Sequence, residues 1–235
     1  MKNFYVFKRY EKKYRICAEQ KEHLLRTISE HLTPDKHGKS RVMCLYLDTE
    51  DFRLIRESMT AGVYKEKLRL RSYGAAAPQQ KIFLEIKKKY KGVVYKRRVS
   101  LPLCRALEYI AGGPPPLDSQ IMREIDYAMH CYGALEPRML ICCDREAFFA
   151  TDDNTVRLTF DDSISFTPNP LGFSEQKPQP VIPQDDIILE VKTAGAMPLW
   201  LSYALSECGV FSAPFSKYGT AYSKLNYPIK ENTHD

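Results

Sequence analysis

Basic and aliphatic residues alternate in the segment KLRLRSYG, residues 67–74. Side chains of a β-strand point alternately to its two faces, so Lys67, Arg69 and Arg71 share one face and the leucines share the other. The leucine face needs a hydrophobic core, whereas the cationic face needs either solvent or a bound anion. The pattern therefore predicts a sheet that is apolar on one side and strongly basic on the other.

The same alternation recurs along the chain. It predicts strands at about 4–14, 41–48, 62–73, 81–90, 93–101, 138–149, 155–165 and 186–193. Most of these strands place Lys and Arg on one face with an occasional glutamate. Glutamate also recurs two residues before lysine, as in the pairs Glu11–Lys13, Glu85–Lys87 and Glu190–Lys192. Carboxylates among phosphate-binding cations are typical positions for a divalent metal ion.

Apolar residues at helical spacing and helix-ending glycines predict helices at about 19–32, 100–113, 118–133, 197–210 and 218–226. No shift in composition marks a boundary, so we expect one domain over residues 1–235 with a core at about 4–225. Many strands with few strand–helix–strand alternations favour an α+β fold, with an antiparallel sheet or barrel and amphipathic helices outside.

Two structures are compatible with the basic faces. In an open sheet the charged face would be exposed to solvent, whereas in a closed barrel the alternation would place it inside. An interior with this many charges could not be dry, so a barrel would enclose a wet, electropositive tunnel. The bias towards arginine, which binds phosphate through two parallel hydrogen bonds, favours the tunnel.

Composition narrows the function further. The net charge of +6 suits an anionic partner. The seven cysteines show no CxxC spacing and the five histidines form no HExxH pattern, so any metal is expected to be Mg²⁺ or Mn²⁺. No run of 18 apolar residues and no secretory signal is present, which predicts no transmembrane segment and a cytoplasmic location.

Eight motifs in order carry a family resemblance. They are RYEKKY, YLDT, KLRLRSYG, FLEIKKKYKGVVYKRR, CDREAF, VRLTFDDSI, ILEVKT and FSKY, and they extend over residues 4–225. This set resembles the VTC domain, the polyphosphate polymerase module of the vacuolar transporter chaperone complex. That domain is one of the triphosphate tunnel metalloenzymes, which are related to the CYTH group.

The resemblance implies an eight-stranded antiparallel β tunnel with helices packed outside. It implies that ATP binds inside with Mn²⁺ or Mg²⁺, and that a growing inorganic polyphosphate chain attacks the γ-phosphate and releases ADP. The residues implied to bind phosphate or ATP are Lys13, Arg69, Arg71, Lys87, Lys96, Arg98, Arg145, Arg157, Lys192, Ser216 and Lys217.

The resemblance also implies individual roles. Arg69, Arg71, Glu190 and Lys217 are the expected catalytic residues, with Lys217 binding the reacting phosphate. Glu190 is the first candidate metal ligand, and the weaker candidates are Glu11 and Glu85.

At Arg9 the chain departs from the pattern of the CYTH group. CYTH proteins usually begin with ExExK, whereas this chain has Arg9-x-Glu11-x-Lys13. The resemblance implies that this replacement favours polymerisation over hydrolysis. Two alternatives stay open, namely a triphosphatase or polyphosphatase in the same tunnel and a non-catalytic module that binds polyphosphate or another acidic polymer. No nucleic-acid partner is expected, because the cations are spread over most strands and no recognised motif is present.

Three aspartates are predicted separately. Asp48 is predicted to form a turn or cap after its strand. Asp161 and Asp162 are expected either to bind metal or to shape a strand end.

Overall fold

A computed structural model describes residues 10–60, 62–91 and 93–226 of the 235-residue chain, apart from the His37 side chain. The strands are β1 (Tyr10–Ile16), β2 (Leu32–Asp48), β3 (Tyr64–Tyr73), β4 (Lys81–Tyr90), β5 (Val93–Pro102), β6 (Glu136–Ala150), β7 (Arg157–Pro168), β8 (Gln179–Pro180) and β9 (Ile187–Thr193). The helices are α1 (Ala18–Thr27), α2 (Arg53–Met59), α3 (Leu103–Ile110), α4 (Gln120–Tyr132), α5 (Leu199–Glu207) and α6 (Lys217–Asn226), with a 3₁₀ turn at Ser29–His31.

All nine strands belong to one antiparallel sheet. Eight of them follow the order β1-β9-β7-β6-β2-β3-β4-β5, and the two-residue β8 pairs with β7 outside this path. Although β1 is at one end of the order and β4 is near the other, Lys87 Nζ of β4 lies 2.9 Å from Glu11 Oε2 of β1. The sheet therefore curls back on itself, and the predicted α+β tunnel with an eight-stranded antiparallel wall is confirmed.

The outer face of the sheet carries two hydrophobic cores. In the first, Leu68 and Leu84 pack with Met122 and Ile125 of α4, and α3 contributes further apolar residues. In the second core, residues of β1, β7 and β9 pack with helices α1 and α5. These four helices cover the aliphatic faces, as the alternation of the strands predicts.

A third core lies on the inner face. Tyr46, Ile141 and Phe166 face inward by alternation and pack against Ile55 of α2 and Tyr218 of α6. The Tyr46 and Tyr218 rings stack with their centroids 4.3 Å apart. These two helices therefore cover part of the inner face, in addition to the helices expected outside. The reason is that the inner faces of β2, β6 and β7 are apolar at this end and require cover.

Asp48 joins β2 to both inner helices. Its fully buried carboxylate accepts hydrogen bonds from the backbone N–H groups of Leu54 (2.8 Å) and Ile55 (3.1 Å). It also accepts one from the Tyr218 hydroxyl at 2.7 Å. This arrangement confirms the predicted cap after the YLDT strand, because the carboxylate satisfies free donors at the start of α2.

The sequence patterns missed two features of this region. The seven-residue helix α2 is too short for a clear apolar period, so no helix was predicted there. Strand β2 begins at Leu32, whereas the sequence predicted a start at about 41. The prediction missed this part because the polar segment TPDKHGKS lacks strand alternation, and its pairing is irregular between Pro34 and Lys39. The predicted start of the first strand, residues 4–9, lies outside the described residues.

Two further predictions concern cysteines and membranes. All seven cysteines are free and most are buried, although Cys131 is exposed. In the part of the chain that the structure describes, no helix has the length and apolar character needed to cross a membrane.

Candidate functional site

The inner face beside α6 holds a cluster of charged side chains from seven strands and the start of that helix. We call it the tunnel cluster. Its cations are Lys13, Lys67, Arg69, Arg71, Lys87, Lys96, Arg145, Lys192 and Lys217, and its carboxylates are Glu11, Glu85, Asp161 and Glu190. Cations outnumber carboxylates, so the cluster has the charge to receive a polyanion.

Glu85 is the carboxylate that organises the β3–β5 side of the cluster. It is 1% exposed, and its oxygens lie 2.6 Å from Lys96 Nζ, 2.9 Å from Arg69 Nη2 and 3.6 Å from Arg71 Nε. Burial alone would raise the pKa of Glu85, but Arg69, Arg71 and Lys96 hold it well below its usual range. Arg69 also donates to the Tyr46 hydroxyl at 3.0 Å, which fixes its guanidinium.

Asp161 is the carboxylate that organises the other side of the cluster, next to β6 and α6. It is fully buried, accepts two hydrogen bonds from Arg145 at 2.5 and 2.7 Å, and lies 2.5 Å from Lys217 Nζ. Burial opposes the charge of Lys217, but Asp161 raises the pKa of this lysine above its ordinary value. Lys217 therefore stays protonated in the tunnel cluster.

Helix α6 delivers Lys217 to this position. Ser216 precedes the helix, and its Oγ accepts the Gly219 backbone N–H at 3.1 Å, as an N-cap residue does. The segment before the helix is held on β1, because Ala213 N–H donates to the Lys13 carbonyl at 2.8 Å. These two hydrogen bonds hold the serine and lysine of the FSKY motif at the inner face of the sheet.

Glu190 lies on β9, opposite Lys13 of β1 in the strand register. Its Oε2 is 2.8 Å from Lys192 Nζ and 3.9 Å from Arg145 Nη2. Burial would raise the pKa of Glu190, but Lys192, Lys13 and Arg145 hold it well below its usual range. The carboxylate is therefore ionised, as a metal ligand must be.

The candidate metal ligands do not come together as one set. Glu11 pairs with Lys87, and Glu85 pairs with Lys96, Arg69 and Arg71. Among the described residues, no three His, Cys, Asp or Glu side chains form a group that could hold a metal ion. Mg²⁺ usually keeps several waters and binds one or two carboxylates together with phosphate oxygens of the substrate. A single protein carboxylate, that of Glu190, is therefore enough for a metal ion that is also bound by the substrate.

Lys13 and Lys67 differ from the other cations of the cluster. Lys13 Nζ donates to the Phe215 carbonyl at 2.9 Å, and Lys67 Nζ lies 3.1 Å from Ser216 Oγ. Burial lowers the pKa of Lys13 to about 8, and burial together with neighbouring cations lowers the pKa of Lys67 to about 7.

Two of the predicted phosphate-binding residues lie at the margin of the cluster. Arg157 is bonded to Asp35 at 2.8 Å and lies over the Phe149 ring. Arg98 lies on an exposed part of β5, with its guanidinium 4.5 Å from the centre of the Phe83 ring. The remaining predicted residues lie in the cluster or, for Ser216, beside it. Arg9 lies outside the described residues.

Lys67 belongs to the cluster but was not among the predicted site residues, and Asp161 was predicted only to bind metal or to shape a strand end. Alternation along KLRLRSYG does place Lys67 on the same face as Arg69 and Arg71, which was a usable signal. For Asp161 the alternation indicates the face but not the partners. Its contacts with Arg145 and Lys217 become visible only in the folded chain.

Comparison with one solved structure supports the fold, and a second structure is similar to a lower degree. A proposed adenylate cyclase from Bacillus halodurans superposes with a TM-score of 0.54 at 14% identity, over 88% of this chain and 95% of that chain. A second proposed adenylate cyclase, from Vibrio parahaemolyticus, has a TM-score of 0.48 at 11% identity, with 92% and 98% covered. No curated protein matches this chain at a significant level.

The sequence also matches a family model. The model of the VTC domain covers residues 8–226, which include every strand and helix described above. The matched range includes every residue of the tunnel cluster, from Glu11 on β1 to Lys217 on α6. The chain belongs to the VTC domain family.

Proposed function

We propose that this protein is an ATP-dependent polyphosphate polymerase. The observation that carries the proposal is the tunnel cluster, in which cations on the inner face of a curled sheet exceed the carboxylates that neutralise them. Members of the VTC family and of related tunnel folds are typically phosphoryl-transfer enzymes, and this supports the same reaction class here. The proposed partners are ATP and inorganic polyphosphate.

The reaction forms one bond and breaks one. A terminal oxygen of the polyphosphate chain attacks the γ-phosphorus of ATP, the bond from this phosphorus to the bridging oxygen of the β-phosphate breaks, and ADP leaves. Phosphoryl transfer depends mainly on positioning and on stabilising charge, so no Ser or Cys nucleophile is needed. A rigid cationic site can therefore support this phosphoryl transfer without a nucleophilic side chain.

Each side of the cluster has a proposed task. Arg69 and Arg71, held by Glu85, bind the triphosphate, with Lys87 and Lys96 beside them. Lys217, held by Asp161, donates to the phosphoryl group that is transferred, and Arg145 and Lys192 stabilise the charge that moves to the leaving oxygen.

We also propose a divalent cation, Mg²⁺ or Mn²⁺, at Glu190. Its ionised carboxylate would hold the ion together with phosphate oxygens of the substrate. The ion would neutralise part of the triphosphate charge. Lys192 would then keep Glu190 oriented through the 2.8 Å contact.

The experiment that tests the function is an assay with ATP and Mn²⁺. Products are resolved by size on a gel stained for polyphosphate, and ADP and free phosphate are measured alongside. Long chains with matching ADP support polymerisation. Free phosphate without chains would instead indicate the hydrolytic alternative, and bound ATP without either product would indicate a binding module.

A matched pair of variants connects the activity to the tunnel. The double substitution Arg69→Ala and Arg71→Ala should abolish ATP binding as well as synthesis. Lys12→Gln removes a cation from an exposed position on the other face of β1 and should leave both unchanged. Calorimetric binding of ATP by the double variant at wild-type affinity would contradict the tunnel assignment.

A further inference from the structure

Lys67 lies on the tunnel face of β3. Its neighbour Leu68 is fully buried on the opposite face, and in the strand register Lys67 is opposite Lys87 of β4. The Lys67 ammonium lies 3.1 Å from Ser216 Oγ, next to the start of α6. The residue is therefore at the point where Ser216 and Lys217 enter the tunnel.

Among the residues that the structure describes, Lys67 has no carboxylate partner. Within the described residues, every other cation of the tunnel cluster except Lys13 has a carboxylate oxygen within 4.0 Å, as shown by Arg69, Arg71, Lys87, Lys96, Arg145, Lys192 and Lys217. Lys67 has only the neutral Ser216 hydroxyl. A partly buried ammonium without an anion is unfavourable, and a phosphate oxygen at this point would correct it.

Burial and neighbouring cations disfavour the charge of Lys67. Burial and then Lys13, Lys87, Arg69 and Lys65 lower the pKa of Lys67 to about 7. Near pH 8 a share of the Lys67 side chains is therefore uncharged in the absence of ligand. An anion among these cations would favour the protonated form, so its arrival would bring a proton to Lys67.

We propose that Lys67 is a further phosphate-binding residue of this tunnel, which forms an ion pair with a substrate phosphate beside Ser216. Ser216 Oγ also accepts the Gly219 N–H at 3.1 Å, so the hydroxyl stays fixed by the helix when Lys67 turns to the phosphate. This inference rests on the proposed function, because it assumes that a triphosphate occupies the tunnel.

The first test measures affinity. Binding of inorganic tripolyphosphate is followed by calorimetry at pH 8 for the wild type, Lys67→Gln, Lys67→Arg and the outer-face control Lys12→Gln. Lys67→Gln should lose about tenfold or more in affinity, the cost of one hydrogen bond between charged groups. Lys67→Arg, which keeps the positive charge, should retain most of the affinity, and Lys12→Gln should match the wild type.

The second test measures protons. Repeating the titrations at pH 8 in two buffers of different ionisation enthalpy gives the number of protons taken up per ligand bound. The wild type should take up more protons than Lys67→Arg, because arginine is already charged. A purely structural role of Lys67 would leave the proton uptake unchanged.

The outcomes separate this inference from the proposed function. If the wild type does not bind tripolyphosphate, the proposed function fails and the inference fails with it. If the wild type binds and Lys67→Gln binds equally well, only the role of Lys67 is overturned. If Ser216→Ala reproduces the loss of affinity and Lys67→Arg shows wild-type proton uptake, Lys67 acts only through Ser216, and direct contact is again overturned.

Discussion

The Nζ atom of Lys217 lies 2.5 Å from Oδ2 of Asp161, a fully buried carboxylate that also binds Arg145. The Lys217→Met variant therefore keeps Asp161 paired and should fold normally. We expect it to bind tripolyphosphate more weakly and to make polyphosphate about 100-fold more slowly, as when a donor to transition-state charge is removed. ADP release and a thermal melt measure both effects. Wild-type turnover would exclude a role for Lys217 in the transfer.

Glu85 neutralises three cations, so its loss should change stability and affinity in opposite directions. We expect Glu85→Gln to lower the free energy of unfolding by about 3 kcal/mol or more, because Arg69 and Arg71 lose a buried partner. The same variant should bind tripolyphosphate more tightly, since the ligand then meets a more positive site. Urea denaturation and calorimetry measure the two quantities. If Glu85→Gln lowers both the free energy of unfolding and the affinity for tripolyphosphate, Glu85 orients the arginines rather than competing with the ligand.

Glu190 should matter for the metal more than for the phosphate. We expect Glu190→Gln to require a much higher Mn²⁺ concentration for half-maximal ATP turnover. Metal-free binding of tripolyphosphate should be retained, because Lys192 is then released from its carboxylate. Glu175→Gln is a suitable control, as Glu175 pairs with Arg41 outside the tunnel cluster. Identical Mn²⁺ dependence in the wild type and in Glu190→Gln would disprove the metal role.

The stability of the ligand-free protein should rise with pH between about 7 and 8.5 through Lys67. The pKa of this lysine is about 7 in the folded chain and 10.5 when unperturbed. In this interval the unfolded chain binds more protons than the folded one, so the free energy of unfolding increases with pH. Lys67→Met should make this part of the profile shallower but not flat, because burial also lowers the pKa of Lys13 to about 8 and of Lys96 to about 7. Thermal melts at several pH values, with Lys12→Met as the control, measure the difference. A slope in Lys67→Met as steep as that of Lys12→Met would exclude the contribution of Lys67.

Salt should weaken binding of polyphosphate steeply. In the proposed function the cluster binds the polymer through many charges, and added ions screen each of these attractions. We expect the logarithm of the association constant to fall linearly with the logarithm of the salt concentration, as for other polyanions bound by lysine and arginine. Removing one contributing cation, as in Lys96→Gln, should make the slope shallower. An affinity that is insensitive to salt would contradict a binding site built from these cations.

Much of the architecture is readable from local patterns. The alternation around Leu68 and Leu84 indicates both the strands and the side of the sheet that packs against helices. The same rule places Arg69, Arg71 and Lys67 together on the tunnel face. These predictions succeed because the period of a strand depends only on neighbouring residues.

The ion pairs could not be read in the same way. Glutamate recurs two residues before lysine in three strands, but in the described part of the chain only Glu190 binds the lysine that follows it, Lys192. Glu11 instead binds Lys87, and Glu85 binds cations of β3 and β5. Alternation determines the face of a side chain but not which strand lies across the tunnel. Partners such as Asp161 and Lys217 are 56 residues apart and meet only because α6 packs on the inner face.

Asp48 has a consequence for local opening motions. Its carboxylate accepts the amide protons of Leu54 and Ile55 and the hydroxyl of Tyr218, the residue next to Lys217. Exchange of the two amide protons with solvent requires these hydrogen bonds to break. Their exchange rates therefore report, from a position on α2, how often the attachment that holds the first turn of α6 is released.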